Sequence, residues 1–288
     1  GYKNIVTRGK NVLDLTDQAA VFSFFGSEKP EFVFLAAGLT GGISGNQKYP
    51  AEFFETNILI QSNVLLAARR SNVKNLVFYG SSCMYPKLSP QPIKEEYLMT
   101  GPIEPTSRAY AMAKAAGVTA CWAYNQQFGQ KRFIALVPNS IFGPHDSFDP
   151  ERSHVISALI AKFHNARINN LDRIELWGSG SPRREFVYVD DAADASIFAL
   201  ENAERLDNRP YNVGVGKDYS IKELAEMISQ VVGYSGKISW DTNRPDGTPR
   251  KLLDNASFSS LGWRPGTSFL DGLKNTYQWY QNNLTGVN

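Results

Sequence analysis

Residues 75–87 read NLVFYGSSCMYPK. The apolar run Leu76-Val77-Phe78 stops at Gly80 and is followed by two serines and Cys83. A run this short and this apolar reads as a strand buried on both faces, the kind found in parallel sheets. Working outward, similar runs occur at 4–6, 32–36 and 133–137, separated by amphipathic helical patterns at 18–27, 51–71 and 108–129. Strands alternating with helices predict an α/β fold with a Rossmann-like, doubly wound parallel sheet. In such sheets ligands bind where the strands end at their carboxyl side. That singles out Ala36-Ala37-Gly38, Tyr79-Gly80-Ser81-Ser82-Cys83 and Pro138-Asn139-Ser140-Ile141.

Beyond Pro144 the alternation loosens. A helix over about 153–168, a strand at 174–177, the stretches REFVYVDDAADASIFAL and YNVGVG, and helices at 221–232 and 269–282 predict a smaller mixed lobe. The expected division is 1–148 for the nucleotide-binding part, rejoined by 185–214, with 149–184 and 215–288 forming the second lobe. The beginning is unusual. A dinucleotide fold opens with a strand, a glycine-rich turn and a helix whose first N–H groups hold the pyrophosphate. Here 4–6 reads as the second strand, and GLTGGISG (38–45) is no substitute because no helix is expected to start directly from it. The expectation is a chain lacking roughly 30 residues of that first unit; the alternative is that pyrophosphate binding is lost.

Composition narrows the function. Thirty Lys+Arg against 28 Asp+Glu leave a formal charge of +2 without a basic run, which argues against nucleic acid as a partner. No apolar stretch approaches the ~20 residues of a membrane helix, and GYKNIVTRGK lacks a signal-peptide core, so a soluble, cytoplasmic protein is expected. Two cysteines make no disulfide framework, and three histidines (His145, His154, His164) lack metal-ligand spacing, so no metal is expected.

Tyr110 and Lys114, four apart in SRAYAMAKAAG, share one face of a helix. A nearby cation is expected to lower the phenol's pKa and make it a usable proton donor to a ketone oxygen. Ser81, at the end of an earlier strand, is placed to share that oxygen. Taken singly, Cys83 reads as a buried thiol, like Cys121, and His154 as an ordinary helix-start residue. Trp177 reads equally as core aromatic or stacking platform, and Arg183-Arg184 as a solvated pair.

Ser81, Tyr110 and Lys114 in this order between parallel strands resemble the extended short-chain dehydrogenase/reductase family. GSSCMYPK, EPTSRAYAMAKAAG, FGPHDSFDPERSHVI, LWGSGSPRREFVYVDD and RPDGTPRKLLD resemble more narrowly its branch that epimerises and reduces GDP-4-keto-6-deoxy-mannose. The resemblance implies that Ser81, Tyr110 and Lys114 are the reductive set and Cys83 and His154 the epimerising pair. It implies an NADPH cofactor contacted by Ala36, Ala37, Gly38, Tyr79, Gly80, Ser81, Ser82, Tyr110, Lys114, Pro138, Asn139, Ser140, Ile141 and His154. Arg8 and Lys10 are placed for a 2′-phosphate. Lys162, Trp177, Arg184, Asp246 and Lys251 match GDP-sugar contacts. The chain departs from the family at Asn139-Ser140, where Thr-Asn is common, and at Lys162, where arginine is frequent. A homodimer through the helices at 51–71 and 108–129 is also implied. Two rivals remain: the same chemistry on the 3-deoxy analogue, and a non-catalytic nucleotide-sugar binder without the cofactor loop.

Overall fold

Because Leu76, Phe78 and Val77 alternate along one strand, burying all three requires cover on both faces of the sheet. A computed structural model describes residues 2–149, 153–244 and 246–283 and shows that cover. In chain order the first part consists of α1 (Gln18–Glu28), β1 (Phe32–Leu35), α2 (Ile43–Lys48), α3 (Pro50–Arg70), β2 (Asn75–Tyr79), α4 (Arg108–Phe128), β3 (Phe133–Pro138) and β4 (Ser140–Phe142). There follow α5 (Val155–Ile168), β5 (Arg173–Trp177), β6 (Arg183–Tyr188), α6 (Val189–Glu201), β7 (Tyr211–Val213), β8 (Asp218–Ser220), α7 (Ile221–Val232), β9 (Lys237–Asp241), β10 (Arg250–Lys251), α8 (Ala256–Ser260) and α9 (Phe269–Asn283).

The first sheet has the order β1-β2-β3-β7, every pair parallel, with Phe78 in register with Leu35 and Ala135. Leu76 and Phe78 pack with Val64, Leu65, Val118 and Phe133 on the side of α1, α3 and α4. Val77 faces the other way, into a core with Ile134, Leu136, Ala195 and Tyr211 under α6. The remaining strands form β10-β6-β4, with β8 antiparallel to β6, and a separate parallel pair β5-β9. Their core gathers Ile160, Phe163, Phe186, Leu224, Ile228 and Tyr277 from α5, β6, α7 and α9. Among the described residues no helix is long and apolar enough to cross a membrane.

Two expectations fail. Residues 4–6 form no strand; Ile5 is exposed, and without a neighbouring strand to take its N–H and C=O groups an extended segment is no strand. A helix does start directly from the glycine pair, since Gly42 is the N-cap of α2, but it runs only six residues. The short strands β4, β8, β9 and β10 were not legible, because two to five residues carry too little periodicity. Of the segment 185–214, α6 and β7 pack on the first sheet whereas β6 belongs to the second. Within the motif FGPHDSFDPERSHVI, 150–152 lie outside the described residues.

Gly117 lets α4 approach β2. A Cβ there would lie 2.2 Å from Phe78 Cζ and 2.7 Å from Gln61 Oε1. Gly117→Val is therefore expected to lose about 1–3 kcal/mol through overpacking, read as a lowered midpoint in chemical denaturation. An unchanged midpoint would mean that α4 shifts outward without cost.

Candidate active site

The end of β2 and the start of α4 meet because both backbones are tightly seated. At Gly80 an added Cβ would come within 2.9 Å of Met84 Cε and 3.1 Å of Val118. Ser81 is extended (φ −153, ψ 144) and its hydroxyl accepts from Cys83 N at 3.2 Å, turning the chain into a 3-10 turn at Ser82–Met84. A second 3-10 turn, Pro105–Ser107, leads into α4 and sets Tyr110 in its first turn. Lys114, buried one turn on, donates from Nζ to Tyr79 O at 3.0 Å and lies 5.1 Å from the Phe78 ring and 6.0 Å from the Tyr110 ring. The end of β1 closes on the same ammonium: a Cβ on Gly38 would sit 3.6 Å from Nζ. Asn57 holds that loop by accepting from Leu39 N at 3.1 Å and donating to Leu39 O at 2.9 Å.

The acidity of Tyr110 departs from expectation. Burial pushes the phenol up, and the Cys83 thiolate adds to it, against a hydrogen bond with Ser81. The Lys114 ammonium makes its hydrogen bond to the Tyr79 carbonyl and not to the phenol. Lys114 is itself brought down to about 8 by burial, so it is still mostly charged at neutrality.

Cys83 is half-buried, and Lys251 Nζ on β10 donates to its sulfur at 3.4 Å. Burial opposes the thiolate, but the charge of Lys251 and hydrogen bonds with Ser81, Lys251 and Ser107 outweigh it, so the thiol lies below its ordinary value. His154 is exposed at the N-cap of α5, without a side-chain capping bond. Its neighbour Ser153 brings a carbonyl to 3.4 Å from the Cβ position of Gly42, which sets this helix start against the loop after β1.

The other expected contacts are distributed as follows. Arg8 pairs with Glu28 at 2.7 Å and stacks over Phe24, while Lys10 is exposed. Ala36 N donates to Phe34 O at 3.1 Å, so the chain kinks directly after β1 on its way to Ala37. Tyr79 turns its hydroxyl away, to Ser196 at 2.8 Å. Pro138 ends β3, Ser140 and Ile141 begin β4, and Asn139 between them is buried. Ser82 donates to Asn139 Oδ1 at 3.1 Å.

On the second lobe Lys162 donates to the Glu175 carbonyl, and Arg184 to the Arg183 carbonyl at 2.7 Å. Asp246 accepts from Ser179 N and Oγ at 3.0 and 2.7 Å. Trp177 is 67% exposed with the Arg244 guanidinium 4.8 Å from its ring centre, so it is no core aromatic. Arg183, partly exposed, is paired to Asp218 at 3.0 Å and Glu223 at 3.2 Å. Sequence reasoning missed Asn57, Ser107 and the fully buried Glu185. Their partners are largely backbone groups or residues far along the chain, which no local pattern announces.

A twisted parallel sheet with serine, tyrosine and lysine at its carboxyl edge defines the class: a doubly wound α/β protein of the extended short-chain dehydrogenase/reductase type. The chain belongs to the NAD dependent epimerase/dehydratase family, which it matches over residues 5–214. It is 49% identical to GDP-L-fucose synthase 1 of Arabidopsis thaliana, over 99% of this chain and 87% of that one. Among solved structures it resembles a GDP-6-OMe-4-keto-L-xylo-heptose reductase from C. jejuni, with TM-score 0.91 and 38% identity over 98% of this chain and 91% of the other. It also resembles an NADP-bound GDP-L-fucose synthetase from Naegleria fowleri, with TM-score 0.88 and 29% identity over 97% and 85%.

Proposed function

We propose that this chain inverts C3 and C5 of GDP-4-keto-6-deoxy-mannose and reduces C4 with NADPH, giving GDP-L-fucose. The observation that carries this is the Lys251-contacted thiol of Cys83 two residues from Ser81, in electrostatic reach of Tyr110. A 4-keto group acidifies the hydrogens on C3 and C5, so inversion needs a base on one face of the sugar and an acid on the other. A thiol held below its ordinary value and the imidazole of His154 suit those roles. Ser81 and Tyr110 hold the C4 oxygen as negative charge develops on it, and Tyr110, whose phenol stays protonated, then delivers a proton to O4.

The residues fit NADPH. Lys114 is a buried ammonium with three N–H donors and, among the described residues, one acceptor, the Tyr79 carbonyl, and a ribose diol supplies the kind of oxygens it lacks. Ala36, Ala37, Gly38, Ser82, Pro138 and Ser140 lie at or just after the ends of β1, β2 and β3, and Arg8 and Lys10 offer charge for a 2′-phosphate. Bound NADPH supplies hydride at C4. We assign 1–148 with 185–214 to cofactor binding and the remainder to the GDP-sugar, where Lys162 and Arg184 suit the diphosphate and the exposed face of Trp177 a ring. Phe54 and Leu59 on α3 and Met112 and Trp122 on α4 are exposed, which supports a homodimer through these helices. Consumption of NADPH and a nucleotide sugar suits a cytoplasmic location.

The test is NADPH oxidation with purified protein, offering GDP-4-keto-6-deoxy-mannose, its 3-deoxy analogue and a GDP-4-keto-heptose in parallel. Fastest turnover of the first is expected; reduction of either rival with none of the first would remove the substrate assignment. Lys251→Met is expected to slow solvent-hydrogen exchange at C3 and C5 by ~10-fold at pH 7. The sign follows from losing a cation: the thiolate then forms only at higher pH, so the exchange profile moves upward.

A further inference from the structure

Asn139 follows directly on β3, 4% exposed, and its side-chain amide is used to capacity. Oδ1 accepts from Ser82 Oγ and Ser140 N, both at 3.1 Å; Nδ2 donates to Glu185 Oε2 at 2.8 Å and Lys251 O at 3.3 Å. Two of these partners flank the Cys83–Lys251 contact, because Ser82 precedes the thiol and Lys251 carries the ammonium. Glu185, fully buried on β6, has no cation paired with it among the described residues. It accepts four N–H groups instead: Asn139 Nδ2, Leu253 N at 3.0 Å, and Val215 N and Gly216 N at 2.7 Å. Gly214 makes room for it, since a Cβ there would stand 2.7 Å from a carboxylate oxygen. Lys251 is thus held at its own carbonyl by Asn139 and two residues on by Glu185.

We propose that Asn139, oriented by the buried Glu185 carboxylate, is a positioning residue that sets the Cys83–Lys251 contact. A lysine side chain has four rotatable bonds, so its ammonium is placed no better than its backbone, and its effect on a thiolate weakens with separation. The other groups facing the thiol are Tyr110 from α4 and Arg184 from β6, with Ser81 and Ser107 hydrogen-bonded to it. None of these is held by Asn139 through its side chain, whereas Lys251 is. The consequence for catalysis rests on the proposed role of Cys83; the contact itself does not.

The experiment is alkylation of the full chain by iodoacetamide across pH, with mass spectrometry on the Cys83 peptide. Buried Cys121 serves as internal control, because it reacts only if the fold opens. Lys251→Met sets the scale. Asn139→Ala is expected to shift the Cys83 midpoint upward by about one unit, with ~10-fold less reaction at pH 7, and Asn139→Thr by part of that. If Asn139→Ala fails to protect Cys121, Ser82→Ala removes the opposite arm at the loss of one atom and is expected to shift the midpoint in the same direction. A folded Asn139→Ala or Ser82→Ala protein titrating as the wild type overturns the proposal. A midpoint that moves without any change in C3 and C5 exchange supports the positioning and removes Cys83 from the epimerisation.

Discussion

Tyr110→Phe is expected to cut reduction of the 4-keto sugar by ~10²–10⁴-fold, the range of a positioned general acid. The phenol is the acidic hydroxyl of the reductive set, and burial keeps it protonated throughout the neutral range. Phenylalanine retains the ring that packs at the start of α4 and removes only the hydroxyl, so the loss is one of proton delivery to O4 and not of fold. Single-turnover oxidation of NADPH reads it directly. The pH profile provides a second arm. Lys114 is cationic below about 8 and neutral above it. Its contribution to holding the reacting groups is therefore present at neutrality and lost as pH rises through that value, and reduction by the wild type should decline there. A wild-type rate that rises through this range would assign the alkaline limb to another group.

Cys83→Ser is expected to lower solvent-hydrogen exchange at C3 and C5 by ~10²-fold or more. Serine keeps the shape and one hydrogen-bonding hydroxyl, but that hydroxyl is far less acidic than a thiol that Lys251 and its other partners bring below the ordinary value. The readout that separates this from a general loss of activity is product stereochemistry. Whatever hydride transfer persists should deliver the uninverted 6-deoxy sugar, seen by NMR of the released nucleotide sugar. Wild-type exchange in Cys83→Ser returns the thiol to a packing role and leaves the contact with Lys251 without a catalytic purpose.

Much of this was readable along the chain. The apolar runs at 32–36, 76–78 and 133–137 became parallel strands, and the patterns at 51–71 and 108–129 became α3 and α4 within a residue of their expected ends. Ser81, Tyr110 and Lys114 stood out because strand ends and a four-residue helical spacing are local features. The segment at 4–6 misled because an apolar run states a preference for extension and says nothing of whether a neighbour is there to pair with.

Periodicity and burial of apolar surface are properties of neighbouring residues, so the sequence by itself determined the parallel sheet, the helices on its two faces and the edge where chemistry is placed. What charge each of those groups carries is a property of separations between distant parts of the chain. Only the tertiary structure brings Lys114 onto the Tyr79 carbonyl and Lys251 to a thiol 168 residues earlier. It also buries Glu185 among four N–H donors. Coulomb interaction and desolvation depend on distance through space, and the chain reveals that distance only after it has folded.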